Sequence, residues 1–273
     1  MFTRLFKNYH EIPVIKLSGV IGGSGTLRSG LNLTNINKII EKAFSNKKIP
    51  AVSLIINSPG GSPTQSSLIA SKIRKMADKN KIKVYAFVED IAASGGYWLA
   101  CAADEIYIDK NSIVGSIGVI SPGFGFVQML KKIGIERRVY TSGKNKSFLD
   151  PFKSVKKEDI KRIKNLQDQI HQNFIDHVKK NRSKKIKSAD KDIYNGNFWI
   201  GVKAVELGLA DGIGHIEDIL KNKFGEKTKI KIIEQKKSFL QRKLSSYSNR
   251  SLINTYEIID AIEEKSYWTR FGL

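Results

Sequence analysis

Residues 83–103, KVYAFVEDIAASGGYWLACAA, decide how the chain is organised. KVYAFVED (83–90) is short, apolar and rich in β-branched and aromatic residues, as expected of a buried strand. From Ile91 the composition turns to Ala, Gly and other small residues, and IAASGGYWLACAA (91–103) predicts a small-residue helix opening from the strand end. Ser94 falls at that junction. A hydroxyl there points away from the chain, and the N–H groups that open a helix favour negative charge beside it. The flanking Ala and Gly residues leave room for another backbone. The plain alternative is a serine capping a helix after a Gly turn.

The same alternation extends in both directions. Upstream, AVSLIIN (51–57) predicts a strand buried on both faces, followed by SPGGS (58–62) and helical spacing over 63–78. IPVIKLSGV (12–20) predicts a first strand leading into the Gly-rich turn 22–25. Leu33, Ile36, Ile39, Ile40 and Ala43 then give a helical period over 33–46. Downstream, EIYID (105–109), SIGVIS (116–121) and ERRVYT (136–141) predict strands, with a helix near 125–133. Alternating strands and helices imply an α/β class built of right-handed crossover units on a mostly parallel sheet. A long helix is predicted over 155–181, with one or two shorter ones over 201–222 around the turn at Asp211-Gly212. The expected organisation is a core domain over 1–233 and a C-terminal helical arm over 234–273, Lys- and Ser-rich at first and apolar-patterned at its end.

With 47 Lys+Arg against 26 Asp+Glu, the formal charge of +21 attracts anionic membrane surfaces or nucleic acid. No basic stripe interleaved with aromatics and no nucleic-acid module signature occurs, so no nucleic-acid partner is expected. No run of 18 apolar residues is present, and the N-terminus lacks the apolar core of a secretory leader. The single cysteine, Cys101, excludes an internal disulfide and a multi-cysteine metal site. These features together point to a cytoplasmic location, with peripheral contact to anionic membrane as an option.

Asn57-Ser58-Pro59-Gly60-Gly61-Ser62 follows another strand, and in open α/β sheets sites collect outside the carboxyl ends of strands. Consecutive glycines let backbone N–H groups approach a ligand, and with Gly95 they could supply the two donors that acyl transfer needs. A serine nucleophile also needs a base. Of the histidines, His10 precedes the first strand, His171 and His177 lie on a polar helix, and His215 follows a Gly turn. None has an evident Asp partner. A lysine serves instead if desolvation lowers its pKa from about 10.4 toward neutrality. The SxxK pairs Ser45/Lys48, Ser154/Lys157 and Ser188/Lys191 sit among polar residues and read as surface. In SGKNKSFLDPF (142–152), Lys144 and Lys146 precede an aromatic and aliphatic cluster, and the residues alone do not choose between them.

Four segments together resemble the signal peptide peptidase A group, the S49 serine peptidases: NSPGG (57–61), DIAASGGYWLA (90–100), VGSIGVI (114–120) and SGKNKSFLDPF (142–152). The likeness continues through YNGNFWIGVKAVELGLADGIG (194–214) and covers roughly residues 12–225. It implies a ClpP/crotonase-like fold of repeated ββα units. It also implies a Ser–Lys dyad with Ser94 as nucleophile and Lys146, rather than Lys144, as base. The oxyanion donors it implies are the N–H groups of Gly61 and Gly95, with Gly60 able to stand in for Gly61. Expected from it are a serine endopeptidase acting on short or unfolded peptides, a ring-like homo-oligomer, and no metal or organic cofactor. Many family members carry an N-terminal membrane anchor, which this sequence does not show. The competing expectations are an acyl-CoA enzyme of the related crotonase fold and an inactive peptide-binding homologue.

Overall fold

Apolar strands buried on both faces form the centre of the molecule. The computed structural model describes residues 11–22, 30–187, 190–234, 262 and 265–273. β1 (Glu11–Ser18) connects through α1 (Leu33–Ala43) to β2 (Ala51–Ser58), and β2 through α2 (Pro63–Asn80) to β3 (Lys83–Ala93). Both strand pairs are parallel, with Val14 opposite Ser53 and Val52 opposite Val84. Asn32 caps α1 by accepting from the Asn35 N–H at 3.0 Å. Ser62 caps α2 by accepting from Gln65 N–H, with Pro63 in the first turn, where its missing donor costs nothing.

The chain continues through α3 (Gly95–Ala100), β4 (Glu105–Ile108), β5 (Ile113–Gly115), α4 (Val127–Lys132), α5 (Lys157–Arg182) and α6 (Asp190–Ile193). It then forms β6 (Phe198–Ile200), α7 (Gly201–Glu206), β7 (Gly212–Ile213), α8 (Ile216–Phe224) and β8 (Lys229–Ile232). Among the described residues these strands make one sheet in the order β6-β5-β3-β2-β1-β8, with β4 between β3 and β7. Only the β5–β6 pair is antiparallel. On one face Ile36, Ile40, Ile69, Ile73 and Ala77 of α1 and α2 pack with Leu17, Leu54 and Ile56. On the other face, Ile12, Tyr85, Phe87 and Leu220 form a smaller cluster.

β3 divides its outer edge. Tyr85–Val88 pair with β4, whereas Ile91–Ala93 pair with β5. The break coincides with a bulge against β2: Ile56 faces Val88 but Ser58 faces Ala92, so two steps on β2 span four on β3. The extra residues Glu89 and Asp90 are exposed. The strand therefore runs three residues beyond the expected end at 90, and the helix begins only at Gly95. Bulges of this kind re-aim a strand end.

Other boundaries also differ from expectation. The strand expected at 116–121 lies instead at Ile113–Gly115, because Ser116 adopts φ +52° and breaks the extended run. ERRVYT (136–141) forms no strand: it is largely exposed and has no neighbouring strand to pair with among the described residues. The C-terminal arm assigned to 234–273 lies mostly outside the described residues. Within it, 265–269 are helical and Phe271 meets Phe198 edge-on at 5.1 Å.

Candidate active site

The bulged end of β3 delivers Ser94 into a sharp strand-to-helix turn. Ser94 has φ +51° and ψ −121°, a conformation that L-residues rarely adopt. Its N–H donates to Gly115 O on β5 at 2.9 Å, and its carbonyl accepts from Trp98 N–H at 3.0 Å. Its side chain makes no capping bond, unlike Asn32 and Ser62. The N-cap alternative therefore fails on both backbone angle and bonding. Within 91–100 every other residue is buried, and Ser94 alone is partly exposed. This is the geometry of a nucleophile elbow, which raises a hydroxyl above a sheet edge.

The 57–62 loop reaches the same point. A Cβ on Gly60 would lie 2.8 Å from Ser94 Cβ and 2.9 Å from Gly95 N, so the two segments touch at the serine. Gly60 and Gly61 have φ +107° and +138°, which glycine alone adopts readily. Ile21, just beyond β1, clamps the loop: its N–H donates to Gly60 O and its carbonyl accepts from Ser62 N–H, both at 2.8 Å. The Gly60 N–H donates to Ser58 Oγ at 3.3 Å. The N–H groups of Gly61 and Gly95 meet no acceptor among the described residues. Of the four residues singled out from sequence, Ser94 and Gly95 thus meet the glycine loop at Gly60, the residue before Gly61.

Lys146 is placed differently. It lies on an exposed turn over 144–149, its N–H donating to Gly143 O at 3.1 Å, and no bond links it to Ser94 among the described residues. Lys144 is exposed on the same turn. Local contacts hold this region. Arg137 pairs with Asp150 and lies over the Phe152 ring at 4.7 Å, and Phe126 stacks on Phe152 at 5.4 Å. The hydrogen bond from Arg137, aided by Phe152 N–H, holds the Asp150 carboxyl below its ordinary value. Around the turn, Phe124, Met129, Ile133, Ile135, Tyr140 and Val155 stand exposed.

Residues not singled out from the sequence support the serine. Ser116, 4% exposed and at φ +52°, follows the β5 residue that receives the Ser94 N–H, and its own N–H donates to Asn197 O at 2.6 Å. A polar residue inside an apolar run was the one available signal. Behind α3, Trp98 stacks on Phe174 and His177 of α5 at 4.7 and 5.0 Å. Tyr97 OH donates to Leu209 O at 2.9 Å. The fully buried Arg182 side chain donates to Asp211 at 2.5 Å and to Gly208 O at 2.6 Å. Although burial opposes ionisation, hydrogen bonds and charge from Lys185 and Arg182 keep the Asp211 carboxyl below its ordinary value. Burial also pushes the Cys101 thiol up to about 12, so it is an inert core residue. No group of three or more His, Cys, Asp or Glu residues among those described could hold a metal ion.

The model of peptidase family S49 matches residues 76–230, which include the elbow, the Ser116 segment and the lysine turn. The chain belongs to peptidase family S49. A signal peptide peptidase (SppA) relative from Enterococcus faecium is 30% identical over 94% of this chain and 78% of its own length. A Brucella abortus protein named Na(+)/H(+) antiporter NhaA is 48% identical over 96% of this chain. This S49 chain spans only 37% of that protein's length, so the antiporter name describes a much longer molecule. No helix among the described residues is long and apolar enough to cross a membrane. The solved 1510-N membrane-bound stomatin-specific protease, in mutant form, superposes with a TM-score of 0.51 at 14% identity, over 83% of this chain and 99% of that one. That likeness shows the ClpP-like fold.

Proposed function

We propose that this S49 chain is a serine endopeptidase that cleaves short or unfolded peptides through an acyl-enzyme. Ser94 Oγ attacks the scissile carbonyl while Lys146 Nζ takes the hydroxyl proton. The N–H groups of Gly61 and Gly95 hold the oxyanion. Lys146 then gives its proton to the departing amine, and water, deprotonated by the same lysine, releases the acid product. An extended peptide would lie along the strand ends by main-chain hydrogen bonds. The observation that carries this proposal is the uncapped Ser94 hydroxyl on its strained turn, against a glycine loop, with the Gly61 and Gly95 N–H groups meeting no acceptor among the described residues.

A lysine works as a base only where low-dielectric surroundings favour its neutral form. Lys146 is in solvent in the single chain, on a region whose exposed apolar residues suit packing against a second copy. The proposal therefore includes a ring-like homo-oligomer in which packing of this region removes Lys146 from water and brings it to Ser94. The charge of +21 further supports peripheral contact with anionic lipid, at ~1 kcal/mol per Lys or Arg near the surface.

Hydrolysis of a mixed fluorogenic peptide library tests the dyad. Wild type and Lys144→Ala are expected to cleave, and Ser94→Ala and Lys146→Ala to be inactive. Cleavage that survives Ser94→Ala overturns the proposal.

A further inference from the structure

Two neighbouring glycine amides lie in the loop that meets Ser94 at Gly60. Ser58 separates them. Its side chain is fully buried, and its Oγ donates to Gly19 O at 2.7 Å while accepting from the Gly60 N–H at 3.3 Å. With its proton committed to Gly19, the hydroxyl has only lone pairs to offer on the Gly60 side. The Gly60 amide is thereby turned inward and occupied, and the Gly61 amide is left open.

The surroundings fix Ser58 in turn. The bulge in β3 sets Ser58 opposite Ala92, two residues before the nucleophile. Gly96 packs so closely on Ser58 that a Cβ there would lie 3.2 Å from Ser58 Cβ. Asn57 Nδ2 donates to Asp90 Oδ2 at 2.6 Å, tying the glycine loop to the bulge. We infer that Ser58 is a positioning residue that selects Gly61 over Gly60 as oxyanion donor, an assignment that rests on the acyl-enzyme proposal above.

Ser58→Ala removes only the hydroxyl. It frees the Gly60 N–H to compete for the oxyanion and lets the Gly61 N–H drift. Loss of a whole oxyanion donor costs ~10²–10³ in kcat, so a misaligned donor is expected to cost about tenfold or more, with KM little changed. The affinity of a peptide boronate, which forms a tetrahedral anion on the serine, should fall by a similar factor while substrate KM does not. General loosening of the fold would instead lower the melting temperature without separating boronate affinity from KM.

A second measurement uses the wild-type protein labelled with ¹⁵N-glycine. On boronate binding the Gly61 amide resonance should move far downfield while that of Gly60 stays near its free position. A dominant shift at Gly60, or unchanged kcat and boronate affinity in Ser58→Ala, overturns the assignment. Wild-type cleavage lost in Ser94→Ala keeps the acyl-enzyme proposal standing in either case, so the two failures are distinguishable.

Discussion

Acid should loosen α3, the helix that follows Ser94, through a single histidine, His177. Its ring stacks on Trp98 at 5.0 Å, and its Nε2 lies 3.0 Å from Trp98 O. Its Nδ1 lies 3.4 Å from Asn181 Nδ2, which can only donate. The neutral tautomer with the proton on Nε2 satisfies both contacts, whereas the imidazolium would place a second donor against Asn181. Burial, with a smaller contribution from Lys180 against the stabilising Trp98 bond, lowers the His177 pKa from 6.5 to about 4. Because the folded-state value lies below the unfolded one, His177 favours folding above pH 6.5, and that contribution fades as pH falls toward 4. Linkage between those two values gives a loss of ~2 kcal/mol between pH 7.5 and pH 5. Urea unfolding of wild type and His177→Gln at both pH values isolates the effect, since glutamine can still donate to Trp98 O but does not titrate. The variant should lose ~2 kcal/mol less than wild type over that interval. Equal losses in the two proteins would refute the assignment of a buried neutral imidazole.

Two further outcomes follow from other parts of the structure. Arg182→Ala should destabilise the fold by about 2–4 kcal/mol, measured by chemical denaturation, because it takes one of two cationic partners from Asp211, leaving Lys185, and removes the buried donor to the Gly208 carbonyl; a loss under 1 kcal/mol would mean that the buried pair contributes little. Ile133→Glu with Ile135→Glu places two charges on the exposed apolar region beside the lysine turn; sedimentation should show a smaller assembly than wild type, and an unchanged mass would remove this region from the proposed ring contact.

Much of the sheet was legible because its strands are buried on both faces. AVSLIIN and KVYAFVED have apolar character that needs no partner to be recognised, and both became strands. The strand-to-helix junction at Ser94 was legible to within a few residues, because the composition changes there from β-branched and aromatic to Ala and Gly. What could not be read was set by pairing. Glu89 and Asp90 look like the end of a strand, yet β3 carries them outward in a bulge and continues to Ala93, because β5 is there to receive it. ERRVYT has strand composition and no neighbouring strand among the described residues, so it stays unpaired. Ser58 looks like an ordinary turn residue in NSPGG. Its hydroxyl acquires a role only once the bulge, Gly19 and Gly60 surround it. Lys146 marks a different limit: in the proposed ring its surroundings depend on other copies, which neither the sequence nor one chain contains.

The turn at Ser94 places chemistry and durability in opposition. Backbone angles of this kind cost a non-glycine residue of order 1–3 kcal/mol, a sizeable share of the ~5–15 kcal/mol that holds an average domain folded. Glycine at the same position would relieve that cost and remove the proposed nucleophile. A library of this chain selected only for surviving heat would therefore drift toward glycine at position 94, yielding sturdier molecules without the hydroxyl on which the proposed cleavage depends. Ranking variants by melting temperature alone would reward the loss of the reaction.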